Sequence, residues 1–242
     1  MASTDDQYWQ RIGAEHPYWA VLSHEKYCGR ELSPAHKEEF MASGASDVKF
    51  VLAAIRRFVN AEFAPRAALD FGCGVGRMLL PMAKHAAQAT GVDVSGAMLE
   101  RAAANAKEQG IEGLRFSETI PEERFDWINS YIVFQHIEPR KGVAILDTLL
   151  SRLTRAGAVS LHFSIFHDKR LMPAVVRDSR AGRFDGLNFA GFEREVPKEM
   201  PLYEYDLSEV MYHFVKNDFH TLALRHLDHG GLHGVWIFGA KE

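Results

Sequence analysis

Leu69-Asp70-Phe71-Gly72-Cys73-Gly74-Val75-Gly76-Arg77 is the stretch on which the fold turns. Ala67 to Phe71 is a short apolar run of strand length. It ends in a glycine-rich turn, and a helical stretch follows from about Arg77 to Ala87. Glycines let backbone pass close to a ligand and adopt positive φ. The free amides that open a helix favour negative groups. Asp93 ends the next strand, about 20 residues beyond Gly72, where a carboxylate can accept both ribose hydroxyls of a nucleoside. The spacing is G-x-G-x-G. The dinucleotide fingerprint G-x-G-x-x-G needs a third glycine where Arg77 stands, which disfavours a nicotinamide-dependent oxidoreductase.

Outward from this loop the chain alternates strand and helix. Ala89 to Val94 reads as a second strand, and Ser95 to Gln109 as a helix capped by Ser95. Leu114 to Phe116 is a short third strand, Phe125 to Phe134 a long apolar one, and Lys141 to Leu153 a helix. Val159 to Phe166 is a further strand. This rhythm predicts a parallel sheet with helices on both faces. A helix opens at Asp206, and two strands, Thr221–Leu227 and Leu232–Ala240, are joined by His229-Gly230-Gly231, a hairpin signal. Residues 1–64 read as helices, one of them capped at Ser46-Asp47 and running through Val48, Val51, Leu52, Ile55 and Phe58.

Composition narrows the classes. Of 242 residues, 47% are hydrophobic, and the net charge is only −4, which excludes disorder as the main state. The longest apolar runs, such as Tyr131 to Phe134, fall far short of the about 20 residues of a membrane span, so no membrane partner is expected. The polar N-terminus reads as no signal peptide. Two cysteines, Cys28 and Cys73, suit a reducing cytoplasm. The slightly acidic balance speaks against a nucleic-acid partner. The number of subunits is not set by any of this.

The loop, with Asp70 just before it, resembles the first motif of class I S-adenosylmethionine-dependent methyltransferases. Phe125-Asp126-Trp127-Ile128 and the following Val133-Phe134-Gln135-His136-Ile137 resemble the fourth-strand motif of that family's small-molecule branch. The likeness covers about residues 66–166, and the terminal hairpin agrees with it. It implies an α/β fold: a Rossmann-like, doubly wound seven-stranded sheet, mostly parallel with a C-terminal antiparallel hairpin. An N-terminal helical cap (1–64) would precede a methyltransferase domain (65–242) carrying a lid-like insertion (167–205).

The resemblance also implies the cofactor, S-adenosylmethionine. Asp70, Gly72, Gly74 and Gly76 would line its methionine half, with Cys73 and Arg77 of the same loop. Asp93 would hold the ribose. Val94 and Met98 would lie against the adenine, with Glu118 and Thr119 beside its amino group, and Ser130 and Gln135 at the fourth strand's end.

Methyl transfer is an in-line displacement for which alignment and water exclusion matter most. A base is needed only for an alcohol or a protonated amine. His136, at the carboxyl edge of the sheet, is the candidate base. His167, His229 and His233 are candidate substrate contacts; the hairpin histidines have a spacing that permits a metal, but no metal is assigned. Tyr8-Trp9 and Tyr18-Trp19 would either cover the pocket or pack on the sheet. Arg170, Arg177, Arg180, Arg183 and Arg194 stud the insertion. The expected activity is methylation of oxygen or nitrogen on a small molecule, in a setting such as secondary-metabolite biosynthesis. The alternatives are a sugar-nucleotide or polysaccharide acceptor and a non-catalytic S-adenosylmethionine-binding module.

Overall fold

Seven strands form one sheet, in a computed structural model that describes residues 4–168, 183–184 and 200–242. In chain order these are β1 (Ala67–Phe71), β2 (Gln88–Val92), β3 (Leu114–Ser117), β4 (Phe125–Ser130), β5 (Leu153–His167), then, after a small ribbon of β6 (Arg183–Phe184) and β7 (Leu202–Tyr203), β8 (Leu222–Asp228) and β9 (Leu232–Ala240). The spatial order is β3-β2-β1-β4-β5-β9-β8. β1 to β5 are mutually parallel, and β9 runs antiparallel between β5 and β8. The order reverses between β1 and β4, and such a switch point opens a crevice at the strands' carboxyl ends.

The strands alternate between two cores, as a period of two requires. Ala68, Trp127, Trp236 and Phe238 pack on one side with Val51, Leu52 and Ile55 of α3 (Pro34–Phe58) and with Leu79 and Leu80 of α4 (Leu79–Met82). Leu99 of α5 (Gly96–Glu108) joins them. Leu69, Ile128, Val235 and Ile237 pack on the other side, with Leu146, Leu149 and Leu150 of α6 (Pro139–Ser151) and Val210 and Phe214 of α7 (Leu207–Lys216). A third, smaller cluster holds α1 (Thr4–Glu15) and α2 (Pro17–Val21) against the rest through Ile12, Tyr18, Trp19, Phe40 and Met98.

Several boundaries differ from the sequence reading; β5, for one, begins at Leu153 rather than Val159. The N-terminal helix does not start at Ser46-Asp47. It starts at Pro34, with Ser33 accepting the His36 amide as its cap. Ser46 hydrogen-bonds Ala42 within the helix, and Asp47 is engaged by Arg77. At Gly44 the helix meets the Arg77 backbone, and a Cβ there would collide with its carbonyl. The fourth strand ends at Ser130 rather than Phe134, because Ile132 turns into the left-handed region at φ +59° and a short turn follows at Phe134–His136. The helix after the glycine loop is four residues, with Pro81 inside it. The body of the 167–205 insertion and Arg170, Arg177, Arg180 and Arg194 lie outside the described residues, and Arg183 is described only by its pairing.

Candidate functional site

The crevice at the switch point is a cavity of about 590 Å³. Each parallel strand from β1 to β4 contributes the residues just past its end: Phe71, Gly72 and Gly74; Val92 to Val94; Glu118 to Ile120; and Tyr131 to Val133. Trp9, Ala20 and Val21 of the first two helices close one wall, and Ile137, Glu138, Lys141 and Ile145 another. The walls are apolar and aromatic, with charge at the edges. Asp6 and Lys141 pair there at 2.9 Å.

The loop holds its shape because glycines carry it. Gly72, Gly74 and Gly76 have φ of +73°, +52° and +87°, where a Cβ is costly. A Cβ on Gly72 would run into Val133, and one on Gly74 into Val21. The same absence of side chain that shapes the turn lets both cavity walls approach it.

Asp93 faces this loop from the end of β2. Its Oδ2 accepts the Gly74 amide at 2.9 Å and its Oδ1 the Ser95 amide at 3.0 Å. Burial pushes its carboxyl above the usual range, and those two amides pull it back. Each carboxylate oxygen has a second lone pair, and Asp93 lines the cavity. The carboxylate is thus fixed by the backbone while keeping acceptor capacity for hydroxyls.

Of the residues expected to hold cofactor, Gly72, Gly74, Asp93, Val94, Met98, Glu118 and Thr119 line the cavity. Asp70, Cys73, Gly76, Arg77, Ser130 and Gln135 do not, and their positions explain why. Asp70 is buried in a chain of hydrogen bonds: Trp127 Nε1 donates to Ser160 Oγ, Ser160 to Asn129 Oδ1, and Asn129 Nδ2 to Asp70 Oδ1. Cys73 is a buried thiol whose pKa burial raises, so it packs rather than reacts. Gly76 gives room to Leu80. Arg77 turns to α3, bonding Asp47 at 2.7 Å and Ser43 at 3.2 Å, with its guanidinium 5.7 Å from the Tyr131 ring centre. Ser130 is fully buried. Gln135 accepts from Ser164 through Oε1.

His136 lines the cavity and lies under Trp9, ring centres 4.5 Å apart. Its Nδ1 faces the Pro201 carbonyl at 2.9 Å and must carry the proton there. Its Nε2 is then the lone-pair nitrogen and accepts from Gln135 Nε2 at 3.1 Å. The tautomer follows from this network.

The candidate substrate histidines stand apart from the cavity lining. His167 binds Glu204 at 2.6 Å and so ties the end of β5 to the chain after the insertion. His233 stacks on Phe166 and hydrogen-bonds His226 and Asp168. His229 meets the rings of Tyr131 and His162, with centres 6.1 and 5.5 Å away. The aromatic pairs divide: Trp9 covers the cavity, whereas Tyr18 and Trp19 are core residues, Tyr18 donating to Asn105. Phe71, Val21 and Tyr131 were missed as wall residues. Their apolar character looked the same as that of core residues, and only spatial placement distinguishes them.

A family model described as a methyltransferase domain matches residues 68–157. Among curated proteins, the 23S rRNA (uracil(1939)-C(5))-methyltransferase RlmD of Burkholderia pseudomallei is 28% identical over 116 residues, covering 46% of this chain and 25% of that one. An uncharacterized RNA methyltransferase of Thermosynechococcus vestitus is 37% identical over 87 residues, covering 34% of this chain and 19% of that one. This chain therefore spans about a quarter or less of the length of these relatives. Among solved structures, magnesium protoporphyrin IX methyltransferase from Synechocystis superposes with a TM-score of 0.64 at 16% identity, covering 100% of this chain and 99% of that one. The N-methyltransferase NodS from Bradyrhizobium japonicum gives 0.58 at 13% identity, covering 99% of each chain. These likenesses show the fold.

The RNA methyltransferase relatives overturn one expectation, that nucleic acid is excluded as a partner. The exclusion leaned on net charge, which averages over the chain, whereas phosphate contacts depend on local patches. Among the described residues no helix is long and apolar enough to cross a membrane. Residues 68–157 thus match a methyltransferase domain, and the glycine loop with its facing carboxylate and the seven-stranded order have the fold of class I S-adenosylmethionine-dependent methyltransferases.

Proposed function

We infer that this chain transfers the methyl group of S-adenosylmethionine to an oxygen or nitrogen atom of a small molecule. The observation that carries the reading is the Asp93 carboxylate, fixed by two backbone amides on the wall of a cavity at the switch point. The residues present fit the cofactor: Gly72 and Gly74 admit its chain, Asp93 its ribose hydroxyls, and Val94, Met98, Glu118 and Thr119 its base. When bound, it supplies a methyl group on a positively charged sulfur.

The chain's own work is then alignment and exclusion of water. Trp9, Phe71, Val133 and Ile137 present apolar surface to the reacting centre. Holding two reactants in line replaces an encounter from solution and contributes several kcal/mol (about 7 at best-studied intramolecular centres). His136 is the group that takes a proton from a hydroxyl acceptor, at Nε2, once Gln135 Nε2 gives up its hydrogen bond to that nitrogen. The acceptor oxygen or nitrogen forms its bond to the methyl carbon as the carbon–sulfur bond breaks, with that electron pair passing to sulfur.

An RNA acceptor is the second reading, favoured by the curated RNA methyltransferase relatives. One experiment tests both. S-adenosylhomocysteine is titrated into wild type and Asp93→Ala by calorimetry, and transfer of labelled methyl is then followed to a small-molecule extract and to total RNA. Loss of one charged partner to the ribose should weaken binding by about 10- to 100-fold. Label in RNA alone would replace the small-molecule reading. Equal affinity in the two proteins would remove the ribose assignment.

A further inference from the structure

His162 is a buried imidazole in a nest of rings. It lies on β5 opposite Trp236 of β9 and is fully buried. Among the described residues, neither ring nitrogen has a hydrogen-bond partner. Buried polar side chains are nearly always paired, because an unpaired one keeps the cost of leaving water. Its neighbours are rings and a glycine. Tyr131 and His229 meet it edge-on at centroid distances of 5.4 and 5.5 Å. Gly234 makes room for it, since a Cβ there would collide with Nε2.

The cavity comes within one side chain of this ring. Tyr131 lines the cavity and also touches His162, and it stacks on Trp236 at 4.2 Å. The next residue, Ile132, is a β-branched residue at φ +59°, and such strain persists where surrounding structure enforces it and clusters at ligand clamps. The unpaired imidazole, the aromatic partition and the strained backbone fall on one side of the cavity.

We propose that His162 binds the methyl acceptor: Tyr131 turns aside, and a hydroxyl of a neutral aromatic acceptor, other than the atom that is methylated, donates a hydrogen bond to the ring's lone-pair nitrogen. The proposal deepens the methyl-transfer reading and rests on it. The acceptor is aromatic because Trp9, Phe71, Ile132 and Val133 offer it flat or apolar surface. It is neutral because a charge beside His162 would lose its hydration, and the charges beyond Tyr131, Arg77 and Asp47, already pair with each other at 2.7 Å. Burial pushes the His162 pKa down to about 3, so the ring stays neutral and orients the hydroxyl without removing its proton.

Phenol is the probe, added to the protein saturated with S-adenosylhomocysteine. Ring nitrogens are followed by NMR with nitrogen-15 histidine, in wild type, His162→Leu and His162→Gln. Phenol should shift the His162 ring signals saturably. His162→Leu should weaken phenol by about tenfold, the worth of one hydrogen bond, with homocysteine-analogue affinity unchanged, and His162→Gln should recover part of the loss. His162→Leu should also melt no lower than wild type, since it removes an unpaired polar group of similar size. Phenol that binds without moving the His162 signals, that binds His162→Leu equally, or that fails to bind the loaded wild type overturns the proposal. Failure of S-adenosylhomocysteine to bind wild type sinks the methyl-transfer reading instead. Should His162→Leu not fold, the wild-type spectra and His162→Gln decide.

Discussion

Asp70 and Asp93 end adjacent strands, and burial pushes both carboxyl groups upward. Asp70 is raised to about 7, chiefly by burial, with the Asn129 hydrogen bond opposing. In the unfolded chain such a group releases its proton near pH 4. The folded state therefore holds the proton more tightly. Stabilisation from this group is complete below about pH 4 and is lost as pH rises through about 7. Asp70→Asn keeps an acceptor for Asn129 and removes the titration. Wild type should lose about 2–4 kcal/mol relative to Asp70→Asn between pH 4 and 7, several degrees in melting temperature. Parallel melting curves across that range would refute the assignment. The contrast was half legible in sequence. Both acids flank a glycine loop, but which of them faces the cavity depends on Asn129, which is 59 positions away in the chain.

At the scale of elements, α6 shows a local rule overridden. Gly142 lies inside this helix, where alanine is worth about 1 kcal/mol more than glycine. The Tyr205 side chain, however, packs directly on Gly142, and its hydroxyl donates to the Ile137 carbonyl at 2.8 Å. Overpacking costs about 1–3 kcal/mol, so the clash wins. Gly142→Ala should lower the melting temperature. In a Tyr205→Ala background, where the whole clashing ring is gone, the same substitution should be neutral or stabilising. A double-mutant cycle in urea measures the difference, and additive effects would show that the contact is unimportant. The periodic parts of such elements were readable: α5 with its Ser95 cap, and the terminal strand Leu232–Ala240 with its hairpin. Their ends were not. β4 stops at Ser130 because Ile132 leaves the strand region, and nothing in the apolar run Tyr131 to Phe134 announces it.

In the whole molecule, the helices before β1 do two jobs. α3 shares its core with the sheet through Val51, Leu52 and Ile55, so packing is continuous across residue 64. α1 and α2 form a smaller cluster and supply Trp9, Ala20 and Val21 to the cavity. We propose that the cap over the cofactor is this shorter piece. It buries less and is joined across the opening by the Asp6–Lys141 pair, a partly exposed contact worth at most about 1 kcal/mol. Its amides should exchange faster than those of β1 and β4, and S-adenosylhomocysteine should slow α1 and α2 more than α7. Hydrogen exchange read by mass spectrometry checks this, and slowing confined to the glycine loop would count against a cap.

The chain by itself determined the parallel sheet, its terminal hairpin and the glycine loop with Asp93. Each is written in local periodicity, in glycines where φ is positive, or in a short fixed spacing. Tertiary structure alone decided which of the loop's residues face the cavity and which face the core. It turned Arg77 to Asp47 and Asp70 to Asn129, brought Trp9 over His136, and left His162 unpaired behind Tyr131. The physical reason is that direction and pairing depend on residues dozens of positions apart, brought together by burial of the two cores on either side of the sheet.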